Sequence, residues 1–236
     1  MEDYSKDFRK KNKFVFELRY RPFFKLLDKK GEMIKQFSDK IGDLCPSWQV
    51  LNSDIVFSDN LELPKFEFVI GLKRMSVLVE DISTFEYFLN NVQKLVKIFY
   101  EISEINSFSR IGCRIISLYE DVKEVSYDGY IKKIEEKFLQ DPLKLGLSHT
   151  DLLVRVVHKN GFYQIGPVKR NEPWIQQNFK DLKDEKKIPK NGVGFDIDSF
   201  GTEFSVKKEN ELIKKMESTI NLSKSIEDAL IKNLGL

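Results

Sequence analysis

Between residues 110 and 119 the chain reads Arg-Ile-Gly-Cys-Arg-Ile-Ile-Ser-Leu-Tyr, and no other stretch restricts the fold as much. In strand alternation Ile111, Cys113, Ile115, Ser117 and Tyr119 point one way, while Arg110, Gly112, Arg114, Ile116 and Leu118 point the other. Apolar side chains on both faces predict a strand covered on both sides over its C-terminal half, which a lone hairpin cannot provide. Two guanidinium groups on one face of such a strand need acceptors, because burying one without a partner is strongly unfavourable.

The flanking pattern supplies helices to cover that strand. Residues 14–21 alternate as a strand that Pro22 stops, after a polar stretch, 1–13, whose Arg9, Lys10, Lys11 and Lys13 read as a solvated terminus. Apolar spacing predicts one helix or two short ones over 23–41, weakest at Gly31, then an extended run over 48–57 and strands over 66–72 and 75–79. Phe85, Phe88, Leu89, Val92, Leu95, Val96, Phe99 and Ile102 recur at helical spacing behind a capping box of Ser83 and Glu86. A shorter helix follows over 127–138. Residues 151–158 and 162–165 form strands around the hairpin signal Asn160-Gly161. Residues 167–191 break the regular pattern, 193–199 return to strand, and a final helix over 208–234 carries Leu212, Met216, Ile220, Ile226 and Leu230, with a bend expected at 221–223.

This order predicts an α+β fold of two closely packed, helix-backed sheets, antiparallel or mixed, divided as 1–106 and 107–236 without a flexible linker. A pseudo-duplicated arrangement is a variant that no internal sequence repeat supports. The 236 residues, 41% hydrophobic with 19 phenylalanines, are enough for a large core. A balance of 39 basic against 37 acidic residues excludes a globally basic nucleic-acid binder but leaves a local basic site open. Two cysteines and two histidines give no disulfide framework, metal knuckle or cofactor motif. No apolar run approaches the roughly 20 residues of a membrane span, and the start lacks a signal-peptide pattern, so a cytoplasmic protein is expected.

Two groups of residues stand out as candidate sites. Glu17, Arg19, Arg110, Arg114, Asp196 and Asp198 compose either a structural polar network, with the two acids of 196–198 pairing the two arginines of the central strand, or an anion site if the arginines converge unpaired. Lys169, Arg170, Trp174, Lys180, Lys183, Lys186, Lys187 and Lys190 mix cations with an indole in the irregular region, a pattern compatible with nucleic-acid contact or with an ordinary solvated loop. Asp196 and Asp198 also allow a divalent metal and hydrolytic chemistry if further oxygen ligands join them.

The strings Phe-Glu-Leu-Arg at 16–19, Arg-Ile-Gly-Cys-Arg at 110–114 and Phe-Asp-Ile-Asp at 195–198, taken in order, resemble a sporadically distributed prokaryotic family of uncharacterised proteins of similar length. The resemblance implies a prokaryotic cytoplasmic protein with an accessory or defence-associated role, and it transfers no catalytic residue. The reading that ranks first is a non-catalytic interaction or scaffold protein with a protein partner or a second copy of itself. Nucleic-acid binding through the basic and aromatic region ranks next, and a metal-dependent nuclease or hydrolase third.

Overall fold

The structure is a computed structural model and describes residues 8–80, 84–121, 125–139, 151–169, 172–179 and 190–236. Along the chain it runs β1 (Phe8–Tyr20), α1 (Lys25–Asp28), α2 (Lys30–Ile41), β2 (Ser47–Leu51), β3 (Asp54–Ser58), β4 (Phe66–Ile70), β5 (Arg74–Glu80), α3 (Phe85–Ser103) and β6 (Ser107–Asp121). It continues with α4 (Tyr127–Phe138), β7 (Val154–His158), β8 (Gly161–Lys169), α5 (Pro173–Asn178), β9 (Asn191–Ser205) and α6 (Glu209–Leu234). The strands join in the order β2-β3-β4-β5-β1-β6-β9-β8-β7. The α+β class is therefore as expected, but the described strands form one sheet where the sequence suggested two. The outer hairpins are antiparallel. So are β1 and β6, since Glu17 meets Arg110 while Lys10 lies over Tyr119.

Two compact units divide the chain. One, the β2 unit, takes residues 14–114 and 199–223; the other, the β7 unit, takes the described residues of 8–13, 115–198 and 224–236. The long strands β1, β6 and β9 and the helix α6 each contribute to both.

In the β2 unit the alternation of β1 buries Phe14, Phe16, Leu18 and Tyr20. Phe14 stacks on Phe88 and Tyr20 on Phe99, at 5.0 and 5.4 Å between centroids, which seats the apolar stripe of α3 on the sheet. Phe37 of α2 lies 5.9 Å from Phe57 and 5.5 Å from Phe68 in the same way. The Tyr20 hydroxyl reaches the Gly71 and Arg74 carbonyls at 2.9 and 2.7 Å, tying the end of β1 to the β4–β5 turn.

The cap of α3 is Thr84 rather than the expected Ser83, which lies outside the described residues. Thr84 is extended, and its hydroxyl accepts from the Tyr87 N–H at 3.2 Å. Thr84→Ala is expected to lower stability by about 1 kcal/mol in urea unfolding, the usual cost of an N-cap hydroxyl.

The run over 48–57 is a hairpin, not one extended strand. Asn52 and Ser53 adopt φ of 49° and 77°, the left-handed pair of a tight two-residue turn, and Leu51 then faces Asp54. Asn-Ser lacks the glycine that usually announces this turn, so the reversal is faint in sequence.

In the β7 unit, residues 8–13 belong to β1 instead of forming a solvated terminus. Lys13 is buried, and its ammonium donates to the Asn178 carbonyl at 3.1 Å. The irregular region also holds more order than expected: β8 extends through Pro167 to Lys169, and α5 starts with Pro173 at its first turn, where a missing N–H costs nothing. Ile116 and Leu118 of β6 pack with Val168, Ile175 and Phe179, so the central strand is covered on its second face as its sequence required.

Helix α6 stays helical through 221–223. Its buried stripe departs from the sequence reading in a telling way. Ile226 is only half-buried, while Ser223 and Glu227 are fully buried. The Ser223 hydroxyl donates to the Cys113 carbonyl at 2.9 Å, which satisfies it without a side-chain partner.

Candidate functional site

An extensive polar arrangement among the described residues centres on Glu227, whose side chain is 0% exposed. Lys10 approaches Oε1 at 2.9 Å and Lys224 approaches Oε2 at 3.1 Å. The Ser117 and Tyr119 hydroxyls both donate to Oε1, the latter at 3.2 Å. Lys224 also pairs with Asp228, and the Lys10 ammonium lies 5.0 Å from the centre of the Tyr119 ring.

Burial alone would raise the pKa of Glu227, but Lys10, Lys224 and the Ser117 hydroxyl outweigh it and hold the carboxyl below its ordinary range. For Lys10, burial is the stronger influence and lowers its pKa despite the pairing with Glu227. Burial opposes the charge on Lys224 too, yet Glu227 and Asp228 more than compensate and raise it. Burial, with Glu227 as acceptor, pushes the Tyr119 phenol up. This is a carboxylate with its lone pairs engaged on four donors, the signature of a structural network rather than of a poised acid or base.

Of the first predicted group, the structure brings Glu17, Arg19 and Arg110 together. Glu17 Oε1 accepts from Arg19 Nε at 2.7 Å and from Arg110 at 3.3 Å, and the Arg110 guanidinium lies 5.0 Å from the Phe200 ring. Arg110 therefore has a carboxylate and an aromatic face as partners. Arg114 is exposed on β6, Asp198 is half-buried on β9 and Asp196 is buried, and each of the three takes part in an interaction with another residue.

Asp196 lines a pocket of about 230 Å³ in the β7 unit. Leu153, Gln164, Glu172 and Trp174 also border it. Gly194 makes room for the indole, since a Cβ there would stand 2.9 Å from Trp174. Trp174 thus borders the same pocket as Asp151, Glu172 and Asp196. Lys169 lies over the Tyr127 ring at 3.9 Å, while the Tyr127 hydroxyl donates to Asp151 at 2.9 Å. Lys190 is exposed just before β9; Arg170, Lys180, Lys183, Lys186 and Lys187 lie outside the described residues.

Among the described residues no three His, Cys, Asp or Glu side chains converge to hold a metal ion. Cys45 and Cys113 are buried, and burial pushes the Cys45 thiol up to about 12, far from thiolate reactivity. No described helix is long and apolar enough to cross a membrane.

The two ends of the sheet differ in how they meet solvent. Edge strand β7 carries Arg155 as its second residue, stacked 4.8 Å over Phe162, and Val157, which is 72% exposed. Edge strand β2, Ser-Trp-Gln-Val-Leu, carries no charge, proline or bulge, the usual devices that protect an edge from another strand. Trp48 faces Phe57 and Val50 faces Ile55 across the hairpin, yet Trp48 is 49% and Val50 42% exposed while their partners are fully buried. The apolar face that α2 covers over β3 therefore continues uncovered onto β2. Sequence reading assigned no role to these residues; the available signal was a ten-residue uncharged run, 44–53, in a chain that is 32% charged.

No protein-family model and no curated protein matches this chain.

Proposed function

We propose that the chain is a non-catalytic interaction protein that takes an extended segment of a protein partner as an added strand alongside β2. The observation that supports this reading is the unprotected outer edge of β2, with Trp48 and Val50 exposed beside it. Outward N–H and C=O groups provide backbone hydrogen bonds to an added strand, and alternate apolar side chains provide its selectivity.

The test uses the fluorescence of Trp48. The chain has two tryptophans, so Trp174→Phe isolates it. Titration with a soluble peptide of alternating valine and threonine is expected to give a saturable change. A twin peptide N-methylated at every residue, and so stripped of its backbone donors on both edges, is expected to give none. Equal responses to both peptides, or no saturable response, reject strand addition. A salt-sensitive response to an oligonucleotide with none to the peptide would instead favour nucleic-acid binding.

A further inference from the structure

We infer that the occupant of the β2 edge is the same edge of a second copy of this chain, paired antiparallel about a two-fold axis through Gln49; this rests on the strand-addition reading above. The hairpin sets which groups are free. Because Leu51 and Asp54 flank the two-residue turn, ladder alternation directs the backbone groups of Ser47, Gln49 and Leu51 toward β3. Those of Trp48 and Val50 point outward.

With Gln49 on the axis, Trp48 of each copy stands opposite Val50 of the other. Both residues present outward N–H and C=O groups, so each of these pairs exchanges two hydrogen bonds and the ladder closes without a slip. The same pairs bring an indole against a β-branched side chain on each side of the axis, a favourable cross-strand combination. Gln49 meets Gln49 with amides that donate and accept reciprocally, and Ser47 meets Leu51. No like charges are opposed anywhere in the five-residue register. The β7 edge differs in carrying a charge, Arg155, which the β2 edge lacks. Self-complementarity about one axis is what an isologous dimer requires.

The test is sedimentation equilibrium on the full chain, on Gln49→Lys, on Gln49→Glu and on their equimolar mixture. The wild-type chain is expected to dimerise with concentration. Each single variant places like charges face to face on the axis and is expected to weaken the dimer about tenfold or more. The mixture is expected to regain it, as a heterodimer that also shows both variants are folded. A wild-type chain that stays monomeric at every accessible concentration overturns the inference, as does a dimer indifferent to both variants. Peptide uptake at Trp48 by a monomeric chain would leave strand addition standing while removing the second copy as its occupant.

Discussion

Replacing Glu227 with alanine is expected to destabilise the protein by about 3–5 kcal/mol, the range for removing one partner of a buried ion pair. The loss arises chiefly from what is left behind. Lys10 loses its carboxylate, Lys224 loses one of the carboxylates it pairs with, and the Ser117 and Tyr119 hydroxyls lose their buried acceptor. Glu227→Gln retains an acceptor for the hydroxyls but not the charge, so it should fall between alanine and wild type. Chemical unfolding followed by far-UV circular dichroism measures both. The same carboxylate predicts an acid limb. Its folded pKa lies below its unfolded value, so its stabilisation is fully present above the unfolded carboxylate range and is lost as pH falls through the folded pKa. Stability of Glu227→Ala should therefore decline less between neutral and acid pH than that of the wild type. Parallel pH profiles for the two would show that the ion pairs contribute no net stability.

Phe57→Ala is expected to cost about 3–5 kcal/mol, with the urea midpoint falling accordingly. Phe57 is fully buried, stacks on Phe68 at 5.8 Å and meets Phe37 at 5.9 Å, so its removal opens a cavity that two aromatic neighbours and a helix border. It also faces Trp48 across the hairpin. Peptide uptake at β2 should weaken with it even where the chain remains folded, because the indole loses its cross-strand support. Phe57→Leu preserves much of the volume and should cost clearly less. A loss below about 1 kcal/mol for alanine would mean that the cluster closes around the gap, contrary to a tightly packed site.

What was legible from sequence follows the reach of each signal. The central strand announced its two covered faces through Ile116 and Leu118, and α3 announced its stripe through Phe88, Val92 and Phe99, because a period of two or 3.6 residues is written locally. Glu17 and Arg19 were legible as a pair for the same reason. Glu227 was not. Its position continues the buried stripe of α6 after Ile220 and Ser223, but a charged residue on a charged helix reads as solvated until its partners are known. Three of those partners, Lys10, Ser117 and Tyr119, come from β1 and β6, more than one hundred residues earlier in the chain. Lys10 illustrates the converse, reading as part of a frayed basic terminus and lying instead beside a buried carboxylate.

The candidate edge divides in the same manner. Sequence alone determined that residues 47–51 form an uncharged, strand-compatible run, and it determined the α+β class through the alternation of helical and strand periods. Only the tertiary structure decided that this run is an edge. Strand order depends on which long-range pairings bury the most apolar surface together, and no local pattern encodes it. The turn at Asn52 and Ser53 then fixed which backbone groups face outward, and the extent of α2 fixed that Phe57 is covered while Trp48 is not.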